Sequence, residues 1–150
     1  MIRRALPAAA LLAGLAGCAA SPPLADGLSP SAPRSIELGA TPFFPQDGYQ
    51  CGPAALATLL RASGVDIGPQ ALTPQVFSPD RRGSLQAELI GAARRHGRLP
   101  YPLAATADEM IAELAEGRPV LVLQNLRASS WPKWHYAVLI GYDADRNVAL

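Results

Sequence analysis

An α+β domain, with helices packed on a central antiparallel sheet, is expected from the order of signals along this chain. Segments with helical start and stop residues come first, between positions 52 and 116. Short, continuous apolar runs come afterwards, joined by brief polar turns. Helices followed by consecutive strands, without strand–helix alternation, are the mark of an α+β arrangement.

Ser35 to Leu38 suits a short strand, and Thr41 to Gln50, with Pro42, Pro45 and Gly48, suits a loop. Gly52 to Ser63 reads as a helix. Pro53 fits its first turn, where a missing N–H costs nothing, and Gly64 fits the stop. Its residues are apolar nearly all round, so this helix is expected to be buried. Ser84 is placed to cap a second helix, Leu85 to His96, closed by Gly97; Leu85, Leu89 and Ala92 or Ala93 form its apolar stripe. Thr106 and Glu109 make a capping box for a third helix that ends at Glu116, before Gly117. Val120 to Gln124 and Tyr136 to Tyr142 are runs suited to central strands. Asp143 to Asn147 is a polar turn, and Val148 to Leu150 begins another strand. A strand that stops so soon suggests that the sequence is a fragment, incomplete at its C-terminus.

Length and composition fit one domain with a real core: 150 residues, of which 49% are hydrophobic. The formal net charge of +1 and an aromatic content of 6% give no reason to expect nucleic acid as a partner. Two histidines and two cysteines offer no metal-ligand cluster, so no metal and no other cofactor is expected.

The N-terminus reads as an address. Arg3 and Arg4 precede an apolar stretch, Ala5 to Gly14, too short to span a bilayer and suited to a secretory signal. It ends Leu15-Ala16-Gly17-Cys18, which resembles the lipobox of bacterial lipoproteins. That resemblance implies a signal peptide over 1–17, cleavage before Cys18, and a diacylglyceryl group on its sulfur. A multi-chain anchor would hold the protein stably to a membrane in the cell envelope, at the periplasmic face of the outer membrane. Residues 18–34, rich in proline and serine, are expected to be a tether, and 35–150 the folded domain. With Cys18 acylated, Cys51 is left a lone free thiol in an exported protein, which invites a reactive role.

Cys51 stands directly before the first helix, where backbone N–H groups and the helix dipole stabilise a thiolate. A small buried cysteine is the plainer alternative. Gly52 permits close approach of a substrate backbone. Gln46, in the preceding loop, has an amide able to reach the region above Cys51 and form an oxyanion hole with the Cys51 N–H. Of the two histidines, His96 reads as a solvated helix end. His135 opens an apolar strand beside Trp131 and Trp134, a setting suited to a partly desolvated base. Asp80 to Gly83 and the Trp131–Trp134 loop are candidate rims of a cleft.

The segment Gln46-Asp47-Gly48-Tyr49-Gln50-Cys51-Gly52-Pro53-Ala54-Ala55 resembles the active-site segment of the bacteriocin-processing (double-glycine) cysteine peptidases, family thirty-nine in peptidase nomenclature. His135-Tyr136-Ala137-Val138-Leu139-Ile140-Gly141-Tyr142 is similar to that family's histidine strand. The resemblance runs from about Phe43 to the end of the chain. It implies a papain-like fold, with Cys51 as nucleophile, His135 as base, Gln46 in the oxyanion hole, and a peptide or protein as substrate. The family's orienting Asp or Asn lies on the strand after the histidine, at a distance that lands at or past Leu150. Asp143 and Asp145 match it poorly, which leaves the third role unassigned. Members linked to transporters carry membrane spans and a phosphate loop that are not seen here, so double-glycine leaders are not implied as substrates. The rival expectation is a non-catalytic lipoprotein that keeps the fold to bind a peptide or an envelope partner.

Overall fold

A computed structural model describes residues 23–46 and 48–150. The signal segment and Cys18 lie outside the described residues. The fold is α+β, with four α-helices among the described residues and antiparallel strands on which they pack. In chain order the elements are β1 (Ser35–Glu37), α1 (Cys51–Ala62), α2 (Pro69–Val76), α3 (Gln86–Arg95), α4 (Ala107–Ala115), β2 (Val120–Asn125), β3 (Trp134–Leu139), β4 (Gly141–Asp143) and β5 (Val148–Ala149).

Helix α1 is the centre of the larger core. Gly52 to Thr58 and Leu60 are all buried, as its apolar sequence predicts. Ala55, Leu56, Ala57 and Leu60 meet Leu72 and Val76 of α2, Leu89, Ala92 and Ala93 of α3, and Tyr136 of β3. Three of the helices end in the same way. After α1 the N–H of Val65 bonds the Leu60 carbonyl (2.9 Å) and that of Gly64 bonds Arg61 (3.0 Å). Arg98 and Gly97 repeat this after α3, and Arg118 and Gly117 after α4. Each glycine has a positive φ, the backbone state this cap requires and most residues avoid.

Helix α2 is not apparent in the sequence, because Pro74 sits inside it and reads as a breaker. The helix forms because Leu72 and Val76 bury themselves against α1, and Pro69 supplies a favourable first residue. Helix α3 begins one residue later than expected. Leu85, not Ser84, is its N-cap, and no cap side chain bonds the first turn.

The expected single sheet is divided into two ladders. Strands β2 and β3 pair with Val120 opposite Leu139 and Gln124 opposite His135. Strands β1, β4 and β5 form the other ladder, with β4 in the middle. The run read as one strand, Tyr136 to Tyr142, breaks at Ile140, whose N–H goes to the Leu150 carbonyl and whose own carbonyl accepts from Leu38. Gly141 is obligatory beside the break. A Cβ there would collide with the Ile36 carbonyl and stand 2.9 Å from the Glu37 Cα.

A second, smaller core lies around α4. Leu114 and Ile111 meet Leu139, Tyr142 and Ala144 together with Ile36 and Leu38. Part of the segment expected as a tether is folded onto this core. A 3-10 turn, Leu24–Gly27, places Leu24, Ala25 and Leu28 there, and the Leu24 N–H bonds the Asn147 side chain at 2.7 Å. The Tyr142 hydroxyl donates to the Pro33 carbonyl, and Arg34 pairs with Asp145. A few well-placed leucines suffice to dock a segment whose composition alone reads as linker.

Candidate active site

Cys51 is the first residue of α1 and its side chain is half-buried, partly packed against the main core. The cysteine is free. The start of this helix has donors left unused by the described residues. Ala54 N–H returns to the Gln50 carbonyl (3.2 Å), and Pro53 has no N–H. The N–H groups of Cys51 and Gly52 have no hydrogen-bond partner among the described residues, and Gln50 gives no side-chain cap. Such a terminus favours negative charge.

The close approach that Gly52 permits is taken by the protein itself and not left for a substrate. Gly52 is buried, and a Cβ on it would collide with the Ser84 hydroxyl oxygen and stand 2.6 Å from the Ser84 Cβ. The segment carrying Ser84 is braced by Glu88. One carboxylate oxygen accepts from the Ser78 hydroxyl (3.0 Å) and the other from the Leu85 N–H (2.7 Å). Within it, Pro79–Arg81 form a 3-10 turn closed by the Ser78–Gly83 bridge. Arg82, at φ 50°, sets its guanidinium 5.6 Å from the centre of the Tyr49 ring. One expected cleft rim, Asp80 to Gly83, therefore lies beside the loop that leads into Cys51.

Tyr136 is the β3 residue that joins the Cys51 neighbourhood. It is only 5% exposed and belongs to the α1 core. Burial pushes its phenol above the ordinary tyrosine value, and negative charge on Cys51 and on Glu88 adds to the rise. Sequence reasoning passed over Tyr136 because an aromatic within an apolar strand reads as core.

His135, one residue earlier, is half-buried. Strand side chains alternate, so with Tyr136 on the α1 side His135 shares the other face with Ala137 and, across the ladder, Gln124. Leu139, on that same alternation, packs in the α4 core. Gln46 is exposed in the loop before α1. No hydrogen bond joins any two of Gln46, Cys51 and His135 among the described residues. The structure thus sets Ser84, on its segment braced by Glu88, against Gly52, and puts Cys51 and Tyr136 on one core.

The two aspartates near the expected third role are otherwise engaged. Asp143 accepts from the Arg146 N–H at 2.9 Å, and Asp145 pairs with Arg34. His96 caps α3, 3.4 Å from the Gln75 amide nitrogen. Trp131 and Trp134, the other expected rim, are largely exposed. Among the described residues no group of three or more His, Cys, Asp or Glu is placed to hold a metal ion, and no helix is long and apolar enough to cross a membrane.

The sequence profile described as the Peptidase_C39 like family matches residues 38–150. No curated protein and no solved structure gives a significant match. The match takes in α1 with Cys51, the braced segment before α3, and every strand except β1.

Proposed function

Since this chain belongs to the Peptidase C39-like family, we propose that it is an exported, lipid-anchored cysteine peptidase that hydrolyses a peptide or amide bond through Cys51. The α+β architecture, with the cysteine opening a buried helix that packs on antiparallel strands, is consistent with a small papain-like peptidase domain. The observation that carries the proposal is the setting of Cys51. A half-buried thiol stands at the first position of a twelve-residue helix whose leading N–H groups are unpaired among the described residues.

In this reading the Cys51 sulfur attacks the substrate carbonyl, after giving its proton to the His135 imidazole. The Cys51 N–H and the Gln46 amide hold the oxyanion. His135 then protonates the leaving amine as the C–N bond breaks, leaving a thioester on Cys51. Water, losing a proton to His135, cleaves the thioester and restores the thiol.

Two variants test the chemistry. Cys51→Ala is expected to abolish hydrolysis of a mixed fluorogenic peptide-amide set, and His135→Ala to reduce it by at least a hundredfold. An unchanged rate with Cys51→Ala defeats the proposal. A second reading is supported by the lack of any hydrogen bond between His135 and Cys51 among the described residues: a peptidase-like lipoprotein that binds a peptide or an envelope partner without cleaving it. Under that reading His135→Ala changes neither hydrolysis nor the alkylation rate of Cys51. For the anchor, metabolic labelling with a clickable fatty acid is expected to mark the protein and to be lost in Cys18→Ser.

A further inference from the structure

We infer that the end of the β2–β3 hairpin, residues 126–134, is a contact for a membrane surface that bears anionic lipid. The inference goes beyond the peptidase reading and needs neither Cys51 nor an acyl chain on Cys18.

Strands β2 and β3 carry an apolar face past the core in which it begins. Leu123 is opposite Tyr136 and Asn125 is opposite Trp134, so these four share one face of the ladder. Tyr136 is buried in the α1 core, but Leu123 is exposed and Trp134 is 61% exposed. Beyond the ladder Leu126 is exposed and Trp131 is 75% exposed. Every residue from 126 to 134 is exposed, as at a projecting end. Single exposed apolar side chains need no explanation, but four large ones along one hairpin do.

The end of the hairpin has a defined backbone. The Asn125 side-chain oxygen accepts from the N–H groups of Arg127 (3.1 Å) and Lys133 (2.8 Å). The Leu126 N–H bonds the Lys133 carbonyl (2.9 Å), and the Trp131 N–H bonds the Ala128 carbonyl (3.0 Å). The apolar side chains are thus presented on a fixed frame, which lowers the ordering cost of binding.

Charge indicates what covers them. Between Glu116 and Asp143 the sequence has no acidic side chain and three cationic ones, Arg118, Arg127 and Lys133. Arg118 pairs with Glu113. Arg127 and Lys133, at the hairpin end, make no ion pair among the described residues. Tryptophan and leucine beside free cations are the side chains of a headgroup layer. The indole settles where apolar and wet regions meet, and each cation is drawn to the negative surface potential. A projecting end suits a fluid layer that it can enter, whereas a protein partner would have to supply a groove for it.

Both tryptophans of the chain, Trp131 and Trp134, lie in this hairpin end, so tryptophan fluorescence reports on it and on no other part. The test uses the full chain carrying Cys18→Ser, so that no acyl chain holds it, with vesicles of phosphatidylcholine and phosphatidylglycerol in equal parts. The emission is expected to move to the blue, and to be quenched when the lipids carry bromine near the headgroup end of their acyl chains. Arg127→Gln with Lys133→Gln, or vesicles of phosphatidylcholine alone, should weaken partitioning about tenfold or more, and added salt should weaken it too. Trp131→Ala keeps Trp134 as the reporter and should weaken partitioning about tenfold. Emission unmoved by the anionic vesicles, or moved but not quenched by brominated lipid, overturns the inference. So does partitioning of the charge-neutralised variant or of Trp131→Ala equal to that of wild type. Emission already blue without vesicles, and shifting to the red on dilution, puts a second copy of this chain on the hairpin end and overturns it as well. None of these outcomes bears on the Cys51 chemistry, which hydrolysis tests separately.

Discussion

Gly52→Ala is the most demanding test of how the Cys51 region is assembled, because the added atom has a definite place to go. The new Cβ would stand 2.6 Å from the Ser84 Cβ, nearer still to the Ser84 hydroxyl, and at an ordinary 3.7 Å from the Leu89 Cδ2. Carbon atoms in contact settle at about 3.5–4.0 Å, so the gap is short by about 1 Å. A rotamer change moves the hydroxyl but not the Ser84 Cβ, which follows the backbone. That backbone is pinned by the Glu88 carboxylate through Leu85 and Ser78. Relief therefore requires α1 or the 78–85 segment to shift, an overpacking cost of about 1–3 kcal/mol. Alanine returns up to about 1 kcal/mol through its better helix propensity, less in a first turn. The net expectation is a loss of about 1–2 kcal/mol.

Urea unfolding followed by far-UV circular dichroism measures this as a lower midpoint at unchanged slope. The control is the cycle with Ser84→Gly, which removes both colliding atoms. Gly52→Ala together with Ser84→Gly should recover most of the loss, giving a coupling of about 1 kcal/mol or more. If Gly52→Ala is as stable as wild type, or if Ser84→Gly brings no recovery, the close packing of Ser84 on Gly52 is refuted.

Other consequences are simpler. Tyr136 and Tyr142 ionise above the ordinary tyrosine value, mainly through burial. The fold favours their neutral forms, so their contribution is fully present below about pH 10 and is lost as pH rises through their folded values; the urea midpoint should fall across that range, and phenolate absorbance should show a late step that Tyr136→Phe diminishes. Glu88→Ala frees both ends of the 78–85 segment and is expected to cost about 1–3 kcal/mol, with new proteolytic cuts in that segment; an unchanged digestion pattern would contradict the bracing. Leu72, fully buried between α2 and α1, should lose about 2–5 kcal/mol on truncation to alanine. Leu99→Ala, at a side chain 94% exposed, should stay within about 0.5 kcal/mol of wild type.

The elements that were legible in the sequence carry their instructions locally. The apolar run of α1 and the glycines after α1, α3 and α4 announce buried helices and their ends, and the backbone obeys them. The capping box of α4 is half realised: Thr106 accepts from the Glu109 N–H at 3.4 Å, while the Glu109 carboxylate reaches past Thr106 to the Ala104 N–H at 2.7 Å. What was hidden depends on tertiary partners. Helix α2 tolerates Pro74 because two buried side chains hold it to α1. The split of the strand at Ile140 is imposed by the Leu38 and Leu150 backbones, which bond it from two sides.

The candidate site divides along the same line. Cys51 is legible because a helix start is a local electrostatic feature, visible from Pro53 and the alanines that follow. Motif reading assigns His135 its role by position in a strand, whereas the part of Tyr136, packed in the α1 core, shows only in the fold. Ser84 is misread for an instructive reason. Its sequence context is that of a helix cap, and only the reach of Glu88 to the Leu85 N–H releases it from that duty. Its hydroxyl is left buried against Gly52 without a hydrogen-bond partner among the described residues. The braced segment before α3 thereby fixes the packing at the first turn of α1, because Glu88 holds Ser84 where Gly52 alone leaves room for it.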